Sequence, residues 1–188
     1  MLCPYSRDGY YMWKDIFAQD SPVSGKKYGD LIDMRITPFV LPYHIHSYQM
    51  TQVFPLLDDL CSSGGKCLHN EYAELCWGHM PETVRAKDKS EKEFTDEWAE
   101  TIANNLGIPK DEILSLYTEK DTHDSDWRVR EDWKYGASIG ISGTPMLYIN
   151  GVKLTDEPES KEDWKTLIDS LLDTDASTPS QPAQAEFI

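Results

Sequence analysis

The sequence predicts an α/β domain: an alternating strand at Leu31–Val40, an apolar strand with a tight hairpin at Met146–Leu154, and between them a long stretch with helical periodicity. That order places helices around a small sheet. The length of 188 residues is one domain's worth, with a ragged end.

Each element has a local reason. Tyr10, Trp13, Ile16 and Phe17 recur at three- and four-residue steps within residues 7–18, the stripe of a helix packed on one face. Pro22, Gly25 and Gly29 break it. The strand that follows is closed by Pro38 and Pro42, neither of which can sit inside a ladder. Ser47 opens a helical stretch to Leu60 in which Pro55 predicts a bend or a break into two pieces. Helices are then expected at Leu68–Gly78, Ser90–Leu106 and Lys110–Tyr117; in the second, Phe94, Trp98, Ile102 and Leu106 form one stripe and Gly107 is the stop. Asp126–Ile139 is amphipathic, with Val129, Trp133 and Ala137 four apart, and Gly140 ends it.

Asn150-Gly151 is the strongest two-residue hairpin signal, between Met146–Ile149 and Val152–Leu154. Ser160 and Asp163 then cap a last helix with Trp164, Leu167, Ile168, Leu171 and Leu172 on one face. From Asp173 the periodicity is lost, and residues 173–188 read as a disordered tail.

A net charge of -15, from 18 Lys+Arg against 33 Asp+Glu, makes nucleic acid and anionic membrane surfaces poor partners. The 6 Trp, 10 Tyr and 5 Phe supply large buried areas that an acidic disordered chain lacks, so a folded, soluble protein is expected. No run approaches a membrane span, and the first residues do not read as a secretory signal. The compartment stays open between the cytoplasm and, if a leader is missing, the secretory pathway or the exterior.

Two places could carry chemistry. Cys3-Pro4-Tyr5-Ser6 stands at a helix start, where unpaired amides and the helix dipole favour a thiolate; a bystander cysteine fits the same four residues. Far downstream, Gly140-Ile-Ser-Gly-Thr-Pro145 leads into a strand, and its Thr144-Pro145 is a candidate cis peptide.

Taken together, a helix-opening Cys-Pro-x-x, a strand, a helical block, the Gly-Thr-Pro loop, a hairpin and a closing helix resemble the DsbA-like branch of the thioredoxin superfamily. Tyr28–His46, with its strand and its proline-and-histidine loop, is similar to the corresponding part of that family, so the resemblance covers about residues 1–172, with the helical insertion at about 47–120. It implies a thioredoxin-like fold and thiol-disulfide oxidoreductase chemistry. Cys3 would be the nucleophile and Pro145 the cis proline, with Pro4, Tyr5, Gly143 and Thr144 around an extended peptide substrate.

The chain departs from that pattern twice. Ser6 stands at the resolving position, and a hydroxyl cannot displace a thiolate from a mixed disulfide. What remains is monothiol exchange with protein thiols or glutathione, the latter as co-substrate, with no other cofactor. Secondly, the family's strand before the nucleophile lies between the strands matching Leu31–Thr37 and Met146–Ile149; only Met1 and Leu2 precede Cys3, against about five residues for a central strand. The first core strand is therefore expected to be missing, as in a fragment or a gene model begun at an internal methionine. Two other readings share the architecture: a kappa-class glutathione transferase-like enzyme, and a redox-inactive peptide-binding module.

Cys61, Cys67, His69, Cys76 and His79 match no standard zinc spacing, so no metal is expected. In a secreted protein a Cys61–Cys67 disulfide across the Ser-Ser-Gly-Gly-Lys loop is favoured. His44 and His46 would share one face of an extended loop, and His123 reads as a surface residue.

Overall fold

The computed structural model describes residues 2–174 and 183–187, with side chains as far as 172. The architecture is mixed α/β, helices with one small sheet.

In chain order, α1 (Pro4–Phe17) buries Tyr10, Trp13 and Ile16 on one stripe, and β1 (Ile32–Ile36) occupies the first half of the predicted early strand, ending ahead of Pro38. α2 (Ser47–Thr51) and α3 (Phe54–Ser62) are the two pieces into which Pro55 divides the 47–60 stretch; proline stands in the first turn of α3, where an absent N–H costs no helical bond. α4 (His69–Gly78) is followed by α5 (Met80–Arg85), a helix not expected from the sequence, with Pro81 in its first turn. α6 (Glu91–Leu106) carries a complete capping box: the Ser90 backbone N–H donates to Glu93 Oε2 at 2.9 Å and the Glu93 N–H to Ser90 Oγ at 3.3 Å. Gly107 ends it at φ 73°.

α7 (Lys110–Ser115) and α8 (Ser125–Ser138) complete the helical block. The buried residues of α8 are Ser125, Val129 and Gly136, so the expected 129–133–137 stripe is displaced: Trp133 and Ala137 are exposed. A methyl on Gly136 would stand 2.9 Å from the Phe39 ring, which explains why a glycine and not Ala137 occupies the closest approach. β2 (Leu147–Ile149) and β3 (Val152–Lys153) pair antiparallel through Asn150 and Gly151, both at positive φ, as a type I′ hairpin requires. α9 (Lys161–Thr174) closes with Trp164 and Ile168 buried.

Residues 183–187, read from the sequence as part of a structureless tail, form a strand, β4 (Ala183–Phe187). Of that tail, residues 175–182 and 188 lie outside the described residues. The sheet order is β1-β4-β2-β3, with β4 parallel to β1 and antiparallel to β2. The place between β1 and β2, which the resemblance assigns to a strand ahead of Cys3, is thus filled by residues from the other end of the sequence.

The chain divides into two compact units. One comprises Met1–Pro4 and Pro38–Ser142 and holds α2 to α8; its core includes Leu2, Met50, Leu56, Tyr72, Trp98 and Ile102. Tyr72 is fully buried and doubly tied, its hydroxyl donating to the Met50 carbonyl at 2.5 Å and accepting from Trp98 Nε1 at 3.1 Å. The other comprises Tyr5–Thr37 and Gly143–Ile188 and holds the sheet, most of α1, and α9. Its core is Trp13, Ile16, Tyr28, Ile32, Leu147, Trp164 and Ile168, with the Trp13 and Trp164 rings 4.9 Å apart. The Tyr28 and Ser21 hydroxyls both donate to Asp169, at 2.7 and 2.8 Å. Among the described residues no helix is long and apolar enough to cross a membrane.

Candidate functional site

Cys3 directly precedes α1, and Pro4 takes the first helical position, where its fixed φ suits the turn. The first turn holds no acidic residue, so nothing there opposes the positive end of the 14-residue helix. Cys3 is not part of a disulfide and keeps 6% of its surface exposed. Tyr5 stands out at 74%, and Ser6 is half-buried one turn on from Cys3.

Beside this start lies a groove of about 640 Å³, a volume ordinary for small-ligand sites. Leu2, Pro4, Ile45 and Val84 line it together with Arg85 and Lys87, so its apolar walls carry two cations in a strongly acidic chain. Ile45 and Val84 are exposed although apolar. Pro4 is a candidate from the sequence; Ile45, Val84, Arg85 and Lys87 are not. Val84, Arg85 and Lys87 come from α5 and the turn after it, and Pro81 at the start of α5 was the one available signal.

The loop Leu41–Ser47 turns rather than extends, so His44 and His46 do not alternate along an extended strand. His46 takes φ 67°, is buried, stacks on Phe94 at 4.1 Å, and meets the Ala86 carbonyl through Nε2 at 2.9 Å, a core role. His44 also lines the groove, and burial holds its imidazole below the ordinary histidine value.

In the sheet unit, Gly143, Thr144 and Pro145 are half-buried and lead into β2. Thr144-Pro145 is cis, as the motif leads one to expect. Nothing lies within 4 Å of where a methyl on Gly143 would stand, so local packing does not demand glycine there.

Cys61 and Cys67 form a disulfide that joins the end of α3 to the start of α4 across the glycine loop. Cys76 is fully buried, which pushes its thiol up to about 12. His69 instead meets Asp58 at 2.7 Å, and among the described residues no group of three or more His, Cys, Asp or Glu is placed to hold a metal. His123 is drawn in rather than solvated: its Nδ1 is 2.7 Å from Asp59, and Arg128 spans Asp58 and Asp59 at 3.0 and 2.8 Å. This network of five side chains is structural, since the Arg128 cation occupies the ground between the carboxylates.

Comparison of the chain with protein-family models, with curated proteins and with solved structures returned no match.

Proposed function

We propose that the chain is a thioredoxin-like, DsbA-related protein that carries out monothiol disulfide exchange through Cys3. The observation that carries this reading is the start of α1: a cysteine immediately ahead of a proline-opened helix whose first turn is free of acids, a setting that stabilises a thiolate. The cis Thr144-Pro145 bond before β2 supports the family likeness.

In the proposed step the Cys3 thiolate attacks one sulfur of a substrate disulfide, forming a Cys3 mixed disulfide and releasing the other sulfur as a thiolate. A glutathione thiolate then attacks the substrate sulfur, frees Cys3 as thiolate, and leaves as the substrate–glutathione disulfide. Ser6 cannot take over that second attack. The tight cover over Cys3 favours a slender thiol, and Arg85 and Lys87 in the neighbouring groove suit the carboxylates of glutathione or an acidic peptide.

The test is intact-mass and peptide mapping after incubation with glutathione disulfide, followed by an insulin-reduction assay with and without reduced glutathione. A single adduct on Cys3, reversed by reduced glutathione, with turnover abolished in Cys3→Ala, is the expected result. An unmodified Cys3 with no turnover overturns it. Glutathione conjugation to a chromogenic electrophile that is lost in Cys3→Ala supports the transferase reading instead, and peptide binding unaffected by Cys3→Ser, without turnover, supports the binding module.

A further inference from the structure

The sheet is continuous only through β4. Its register sets Ile32, Met34 and Ile36 of β1 against Ala183, Ala185 and Phe187, and Leu147 and Ile149 of β2 against Phe187 and Ala185. A segment held on both edges is bound by main-chain pairing, and that pairing is indifferent to sequence. Sequence decides instead how well the strand fills its place. Interior strands are ordinarily rich in Val, Ile and Leu, whereas Ala-Gln-Ala-Glu-Phe has no β-branched residue and two alanines, a type depleted in strands. The neighbours across the register are large and apolar: Ile32 and Leu147 are core residues, and Met34 and Ile149 pack on the same core. Along this register, large apolar neighbours thus face a segment of low strand propensity.

We infer that the slot between β1 and β2 is a strand-binding site for an extended peptide rich in β-branched residues, and that residues 183–187 are its displaceable resident. The occupant is a peptide and not a second copy of this chain, because the same five residues from another copy have no higher strand propensity. This site is independent of the Cys3 chemistry: it lies within the sheet unit and uses no thiol.

The experiment uses the full chain and a fluorescein-labelled peptide, Lys-Val-Thr-Val-Ile-Val-Lys, read by anisotropy and by hydrogen exchange. Saturable binding is expected, with amides of 183–187 losing protection while those of 32–36 and 147–149 keep it. A control peptide with proline at its third and fifth positions, unable to pair, should not bind. Ala185→Pro in the full chain weakens the resident strand and so should tighten peptide binding by about tenfold or more, since a tethered competitor acts at millimolar effective concentration. Should Ala185→Pro not fold, the unsubstituted chain decides. No saturable binding to it, or binding that leaves the 183–187 amides as protected as before, overturns the inference; so does a folded Ala185→Pro chain that binds no more tightly than the original.

Discussion

Nδ1 of His123 lies 2.7 Å from Oδ2 of Asp59, although 64 positions separate the two residues in sequence. Arg128 Nη1 approaches the other oxygen of the same carboxylate at 2.8 Å. Burial alone would raise the Asp59 pKa, but the hydrogen bonds from His123 and Arg128 outweigh it and hold the group below the ordinary carboxylate range. A carboxyl depressed by folding stabilises the fold above its unfolded pKa, and that contribution is lost as pH falls through the folded value.

Asp59→Asn should therefore lower stability at pH 7 and flatten the acid limb of the stability–pH curve below about pH 4. Since the Asp59 side chain is 43% exposed, solvent screening limits the loss to about 1 kcal/mol. Thermal melts of both proteins between pH 3 and 7 check this, with a shift of about 2–4 °C expected at pH 7. Parallel acid limbs would contradict it.

Tyr72→Phe removes the donor to the Met50 carbonyl and the acceptor for Trp98 Nε1 inside a fully buried core. Two polar groups are left without that partner, so a loss of about 2 kcal/mol is expected in urea unfolding, with an unchanged m value.

The Cys61–Cys67 bridge closes a loop with a sequence separation of 6 residues. A loop this short gives about 2 kcal/mol by chain entropy, so the double Cys61→Ser, Cys67→Ser variant should melt several degrees lower. Calorimetry in the absence of reductant is the measurement. An unchanged melting temperature would mean that Gly64, at φ 85°, and its neighbours hold the turn without the bridge.

Thiol labelling offers a fourth check. Cys76, fully buried with its pKa raised to about 12, should stay unmodified by iodoacetamide in the native protein at pH 8, while Cys3 is labelled. Peptide mapping distinguishes the two, and rapid native labelling of Cys76 would show that the helical core opens far more readily than its packing implies.

Where local chemistry decides an element, the amino-acid order was enough. Ser90 and Glu93 make their capping box, Pro55 splits its helix, and Asn150-Gly151 turns its hairpin because each depends on neighbours within four residues. The Cys-Pro helix start is legible for the same reason, whereas the cis Thr144-Pro145 bond is signalled only by the combination of motifs along the chain, since an isolated Thr-Pro is ordinarily trans. What escaped was set by distant partners. His123 reads as a surface residue because nothing beside it in sequence announces Asp59. The buried face of α8 shifted to Gly136 because Phe39 packs there, a contact no periodicity encodes. α5 is too short for a stripe to emerge, and with it the groove wall of Val84 and Arg85 was missed. β4 carries almost no strand propensity, so its place follows from the open positions along β1 and β2.

The pairing of Ile32 with Ala183 has a kinetic corollary. Most of the helical unit is one contiguous stretch, 38–142, and can condense on contacts available early during synthesis. The sheet cannot: its first strand must wait for a ribosome to add some 150 further residues before the segment that completes it exists, leaving β1 with bare main-chain edges throughout that interval. Chaperone demand in this protein should fall on those few early residues rather than on the helices.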